Sequence, residues 1–106
     1  MRHVNLRVHG KVQGVFYRQS AQDKARELGV SGWARNEEDG TVYIEGEGEI
    51  ENLERFIEWC RQGPPASSVT KVDHEFTDDI RSISGMSDTT DNVDEKVELY
   101  LNHYEA

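Results

Sequence analysis

The chain has few of the residues that cross-link or anchor small proteins. Its 106 residues include one cysteine, Cys60, and two prolines, so an intramolecular disulfide framework is excluded. No apolar run approaches the ~20 residues that span a bilayer, and the first residues lack the apolar stretch of a secretory signal peptide. A chain of this length can form one domain with its own core. We therefore expect a single cytoplasmic domain without a membrane partner.

Positive charge is also scarce. The chain has 12 Lys and Arg against 21 Asp and Glu, which gives a formal net charge of −9. Such a chain repels polyanions, so nucleic acid is a poor partner, and an anionic substrate needs a local positive site. Two readings of this composition stay open: adaptation to high salt, where screening weakens self-repulsion, and an ordinary acidic protein of the cytoplasm.

Hydrophobic periodicity predicts six elements in a characteristic order. They are a strand at 4–8, a helix at 20–28, strands at 30–35 and 41–45, a helix at 50–60 and a strand that contains Val72, His74 and Phe76. Gly63 and two prolines end the second helix, and Gly46-Glu47-Gly48 is predicted to be the turn that leads into it. This order is that of the ferredoxin-like (βαββαβ) fold. It is an α+β two-layer sandwich whose antiparallel sheet has both helices on one face.

The C-terminal third has a different composition. Residues 77–94 are rich in Asp, Ser and Thr, which favours a loop or a disordered tract. Val97, Leu99 and Leu101 alternate like a strand, whereas Val97, Leu101 and Tyr104 also fit a helix face. We prefer the strand. The sequence thus predicts a domain core at 1–76 and an acidic extension at 77–106 that ends in a late edge strand.

The stretch from Gly10 to Arg18 joins the first strand to the first helix. Its glycines allow successive backbone N–H groups to point inward, which makes an anion site beside the positive end of a helix. Arg18 adds a planar fork of donors suited to phosphate oxygens. A cation in the first turn is unfavourable unless an anion shares the site, although pairing with a surface carboxylate is the simpler alternative. Phe16 and Tyr17 are interpreted as rings that pack this loop against the sheet.

Other residues with reactive or ligating side chains are weaker candidates. Asn36 stands in a predicted turn, where asparagine commonly bonds nearby backbone. Cys60 lies on the apolar face of the second helix and is interpreted as a core residue rather than a nucleophile. The four histidines show no metal-ligand spacing; they are His3, His9, His74 and His103.

Three motifs, in order and with a helix-sized spacing between the first and the second, resemble the acylphosphatase family. They are Gly10-x-Val12-Gln13-Gly14-Val15-x-Tyr17-Arg18, Gly32-Trp33-Ala34-Arg35-Asn36 and Asp39-Gly40-Thr41-Val42. The resemblance extends from about Val4 to about Val72. Members of that family usually end soon after the fourth strand, whereas this chain continues.

The resemblance implies a function and a set of site residues. The function is metal-independent hydrolysis of the carboxyl–phosphate bond of small acyl phosphates by a monomer without a cofactor. The catalytic residues would be Arg18, which holds the phosphate, and Asn36, which orients the attacking water. The phosphate would be bound by Gln13, Gly14, Val15, Phe16, Tyr17 and Arg18. The main alternative is a non-catalytic module that binds phosphate ligands on the same scaffold, and a ferredoxin-like nucleic-acid binder conflicts with the net charge.

Overall fold

The computed structural model describes residues 1–77 and 96–98. These residues form five strands and two helices. In chain order they are β1 (Arg2–Lys11), α1 (Tyr17–Leu28), β2 (Ser31–Asn36), β3 (Val42–Gly48), α2 (Ile50–Gln62), β4 (Ser68–Thr77) and β5 (Lys96–Glu98). The first six elements follow the predicted ferredoxin-like order, which is confirmed.

The strands form one antiparallel sheet with the order β4-β1-β3-β2-β5. Near the middle of the sheet, Leu6 of β1 lies opposite Ile44 of β3 and His74 of β4. At one end, Val8 of β1 and Asn36 of β2 both lie opposite Val42 of β3. The loop that follows β1 and the turn that follows β2 therefore emerge at the same end of the sheet.

The core lies between the sheet and both helices. Alternate residues of the central strands point to the helices because side chains alternate along a strand, and the helices present residues spaced three and four apart. The buried side chains of this core include Val4, Leu6, Val8, Val42 and Ile44 from the two central strands and Tyr17, Ala21, Ala25, Leu53, Phe56, Ile57 and Cys60 from the helices. The predicted core position of Cys60 is confirmed.

Three local predictions were wrong. α1 begins at Tyr17 rather than at residue 20, because the backbone N–H of Ser20 already bonds the carbonyl of Phe16 (3.0 Å) and the Tyr17 ring is buried. Gly46-Glu47-Gly48 is not a turn but the end of β3, paired with β1. A Cβ at Gly46 would lie 3.1 Å from the Val30 side chain, so glycine serves close packing inside the strand. Phe16 does not pack against the sheet, since it is 79% exposed.

The C-terminal extension is described only at β5. This strand pairs with β2 at the edge away from β4 and places Val97 opposite Ala34. The predicted loop at 77–94 lies outside the described residues from residue 78 onward, as do Leu99, Leu101 and Tyr104. The domain boundary at residue 76 stays a prediction.

Candidate active site

The loop between β1 and α1 has an alternating backbone conformation. Gly14 and Phe16 have φ values of 74° and 63°, whereas Val15 between them does not have a positive φ. A change in the sign of φ from one residue to the next can bring successive N–H groups to one side of the chain, where they can bind an anion. The local geometry of the loop therefore suits a negatively charged ligand.

The start of α1 adds to this positive character. The first N–H groups of a helix have no acceptor within the helix, and the N-cap residue Phe16 has no polar side chain that could satisfy them. The first turn has no acidic residue, and Arg18 lies in it, half-buried. The helix dipole, N–H groups that have no acceptor within the helix, and the guanidinium thus all favour an anion at this position.

A cavity of about 320 Å³ opens beside the β1–α1 loop and the first turn of α1. It brings together five of the residues predicted from the sequence to form the site, and two that were not predicted. Its lining residues are Gly14, Phe16, Tyr17, Arg18 and Asn36 from the prediction, with Val12 and Gln19 in addition. Gln13 and Val15 are not among the described lining residues. No carboxylate belongs to the described lining, so the cavity is a locally positive site on an acidic protein.

Asn36 is the residue that the β2–β3 hairpin contributes to the described lining of the cavity. It is the last residue of β2, and its side-chain Oδ1 is buried without a hydrogen-bond partner among the described residues. A buried acceptor without a donor is unfavourable by about 1–3 kcal/mol and is rare in folded proteins. In a cavity that also contains Arg18, this oxygen is positioned to accept a hydrogen bond from a ligand or a water molecule.

Gln13 is not among the described lining residues of the cavity, but its side chain connects the loop to the hairpin. Its Nε2 donates to the carbonyl oxygens of Glu37 (2.8 Å) and Thr41 (2.9 Å). Both carbonyls belong to the turn that follows Asn36, so this bridge joins the loop to the turn. The sequence reasoning missed it because amide donors and backbone acceptors leave no local pattern.

Two of the three carboxylates of the turn, those of Glu37 and Asp39, contact side chains on the sheet face opposite the helices. Glu37 pairs with Arg35, and its Oε1 lies 3.7 Å from the Arg7 guanidinium. The Asp39 carboxylate accepts hydrogen bonds from the Thr41 hydroxyl and N–H, which, with Arg7 nearby, lower the pKa of Asp39. Glu37 and Asp39 are therefore paired with other side chains, and neither is among the described lining residues of the cavity.

Two groups near α1 and α2 are unsuited to proton transfer or nucleophilic attack. The Tyr17 hydroxyl donates to the carbonyl of Cys60 (2.7 Å), and burial is the main cause that raises the pKa of Tyr17. Burial also raises the pKa of the Cys60 thiol to about 12. Both groups stay neutral near pH 7, and their role is to fix α1 against α2.

A buried ionic cluster lies far from the cavity, on the sheet face opposite the helices. The ring nitrogens of His3 approach the carboxylates of Glu47 (2.9 Å) and Glu45 (3.0 Å). Burial lowers the pKa of His3, but the hydrogen bonds to both carboxylates raise it by more. Sequence reasoning missed this cluster, although the period-two spacing of Glu45 and Glu47 on a strand paired with β1 was a usable signal.

Within residues 1–77 and 96–98, no group of three or more His, Cys, Asp and Glu is arranged to hold a metal ion. The helices of this part of the chain are too short and polar to cross a membrane.

Fold and cavity together define a ferredoxin-like domain with a candidate anion site between its first strand–helix loop and its central hairpin. A sequence model of the acylphosphatase family matches residues 4–87. The acylphosphatase of Methylococcus capsulatus is 49% identical over 73 residues, which cover 69% of this chain and 79% of that protein. That of Pelotomaculum thermopropionicum is 49% identical over 78 residues, covering 74% and 85%.

Solved structures agree with these sequence matches. The crystal structure of acylphosphatase from Bacillus subtilis has a TM-score of 0.74 at 34% identity and covers 76% of this chain and 89% of that one. The structure of an acylphosphatase from Coxiella burnetii has a TM-score of 0.69 at 38% identity, covering 72% and 80%. The chain belongs to the acylphosphatase family, as its motifs predicted.

Proposed function

We propose that this protein hydrolyses acyl phosphates to a carboxylate and inorganic phosphate. Its relatives named acylphosphatase, at 49% identity, support this activity. The observation that carries the proposal is the buried Oδ1 of Asn36, which has no partner among the described residues and lines the same cavity as Arg18.

The phosphoryl group would be bound at the loop and the start of α1. The N–H groups from Gln13 to Tyr17 would donate to its oxygens, and the Arg18 guanidinium would add a bidentate, charged pair of donors. These donors are fixed before the substrate arrives, so they can neutralise charge that develops on the phosphoryl oxygens without reorganisation.

The attacking water would be oriented by Asn36. Its Oδ1 accepts a hydrogen bond from the water, and its amide N–H donates to a phosphoryl oxygen. The water oxygen then bonds to phosphorus, while the bond from phosphorus to the carboxyl oxygen breaks. The electron pair leaves with the carboxylate, and the proton of the water passes to the phosphate product.

This reaction needs positioning more than acid–base chemistry. A carboxylate is a weak base and leaves without protonation, so a general acid is unnecessary. What the protein must supply is alignment of the water and stabilisation of charge on the phosphoryl group. Asn36, the residue proposed to align the water, is an amide and acts by hydrogen bonding rather than as an acid or a base.

The test is hydrolysis of benzoyl phosphate with chelator present, at low and high salt. We expect Arg18→Ala and Asn36→Ala to lower kcat/KM by about 10²–10³, the effect of removing one transition-state donor. Arg26→Ala is the matched control, because Arg26 is an exposed arginine of the same helix paired only loosely with Asp23 at 3.9 Å. Its activity should match that of the wild type.

Two outcomes would contradict the proposal. Folded wild-type protein that hydrolyses no acyl phosphate in either salt, yet binds inorganic phosphate, would favour the non-catalytic binding module. Wild-type activity that persists in Arg18→Ala or Asn36→Ala would show that the assigned residue does not have its proposed role.

A further inference from the structure

Phe16 is the exposed apolar residue of the cavity. It is 79% exposed and lines the cavity together with Arg18 and Asn36. The other large apolar lining residues, Val12 and Tyr17, are buried in the core. Among the described lining residues, Phe16 is therefore the large apolar side chain that is not already packed and that a substrate could contact.

The backbone at Phe16 adopts a conformation that phenylalanine rarely takes. With φ 63° and ψ 24°, it is the one non-glycine residue of positive φ in the described part of the chain. Glycine or asparagine fits this left-handed region better. Neither the backbone nor the core therefore gains from an aromatic ring at this position.

The surrounding structure holds this conformation from both sides. Val15 and Tyr17 are buried, and the Tyr17 hydroxyl is bonded to the carbonyl of Cys60. The carbonyl of Phe16 accepts the first hydrogen bond of α1, from the N–H of Ser20. Because its neighbours anchor the chain in the core, the side chain of Phe16 stays at the opening of the cavity.

The geometry of phosphoryl transfer indicates what Phe16 meets there. The leaving oxygen lies opposite the attacking water, so with the phosphoryl group at the loop and the water at Asn36 the acyl group points outward. We infer that the Phe16 side chain binds the acyl group and gives the enzyme a preference for aromatic over small acyl groups. This inference rests on the proposed function, and a ring stacked on Phe16 is the contact that would produce the preference.

The test compares kcat/KM for benzoyl phosphate and acetyl phosphate in wild type, Phe16→Asn and Phe16→Leu. Asparagine tolerates the left-handed backbone and removes the ring, whereas leucine keeps an apolar side chain. Any effect on the phosphate-binding loop applies to both substrates and cancels in the ratio of the two values. The ratio should fall about three- to tenfold in Phe16→Asn and less in Phe16→Leu. Ile50→Asn, at the partly exposed start of α2, should leave it unchanged.

Affinity supplies a readout that does not depend on turnover. Calorimetry with the non-hydrolysable benzoyl and acetyl phosphonates should show the same loss of preference in Phe16→Asn. If the wild type hydrolyses neither substrate, the proposed function fails and the phosphonate ratio still decides the role of Phe16. An unchanged ratio in Phe16→Asn would overturn the inference, whether it is measured by kinetics or, in the absence of turnover, by affinity.

Discussion

The bridge from Gln13 to the hairpin turn offers the sharpest test of how the site is held together. Gln13→Met keeps the length of the side chain and removes both hydrogen bonds, to the carbonyls of Glu37 and Thr41. Each carbonyl keeps one other donor, since Gly40 N–H bonds the first (3.1 Å) and Glu37 N–H bonds the second (2.9 Å). The substitution therefore removes two interactions without leaving an orphaned acceptor.

The expected loss of stability follows from that count. A side-chain hydrogen bond contributes about 0.5–1.5 kcal/mol net, and the lower half applies where the acceptor keeps a partner. We expect Gln13→Met to lower the free energy of unfolding by about 1–2 kcal/mol. In a domain of this size, each kcal/mol lost lowers Tm by about 4–8 °C. Because Asn36 immediately precedes the turn, we also expect kcat to fall about ten- to a hundredfold, the effect of misplacing a group by roughly 1 Å.

Urea unfolding followed by tryptophan fluorescence measures the first effect, and benzoyl phosphate hydrolysis by the folded variant measures the second. The control variant is Gln62→Met, because Gln62 is an exposed residue at the end of α2. This substitution should change the free energy of unfolding by less than about 0.5 kcal/mol. Equal stability of the two variants would refute the reasoning about the bridge. A loss of stability with kcat unchanged would show that the bridge does not position Asn36.

Three further predictions concern pH, packing and reactivity. In the native state, the pKa of His3 is raised above its ordinary value of 6.5. The stabilisation that protonated His3 gives the fold is therefore complete at pH values below the pKa of the unfolded state. It is lost as the pH rises through the pKa of the native state. The difference in unfolding free energy between wild type and His3→Gln should thus be larger at pH 6 than at pH 9, and a constant difference would contradict this. Gly32→Ala should destabilise by about 2–5 kcal/mol, because its Cβ would lie 1.8 Å from the Glu45 carbonyl oxygen; Gly40→Ala, with open space around it, should lose only about 1–2 kcal/mol. Cys60, buried and with its pKa raised to about 12, should react with a thiol reagent only on unfolding, and rapid labelling of the native protein would disprove its core position.

The elements of the fold were predictable because burial leaves a period in the sequence. Alternation along β1 and the three-and-four spacing in α2 report which side chains face the core, and Gly63 marks where α2 ends. The two glycines of 46–48 misled this reasoning. Glycine commonly marks a turn, but Gly46 lies within a paired strand, where the absence of a side chain leaves room for Val30. Only the packing of neighbouring elements distinguishes the two cases.

The candidate site likewise contains residues that the sequence predicts and contacts that only the tertiary structure shows. Arg18, Asn36 and the glycines of the loop were found in the sequence because each belongs to a contiguous motif. The bridge from Gln13, which spans 24 and 28 residues, and the pairs of His3, which span 42 and 44, leave no contiguous pattern. Their partners depend on strand register and on the position of the hairpin.

By itself, the sequence determined the order of strands and helices and which residues are candidates for an anion site, since periodicity and local motifs act over a few neighbouring positions. The tertiary structure decided which of those residues share a cavity, that the Asn36 oxygen lacks a donor among the described residues, and that Phe16 faces solvent. Hydrogen-bond satisfaction and exposure are properties of the whole packed chain, because each depends on groups brought together from distant positions.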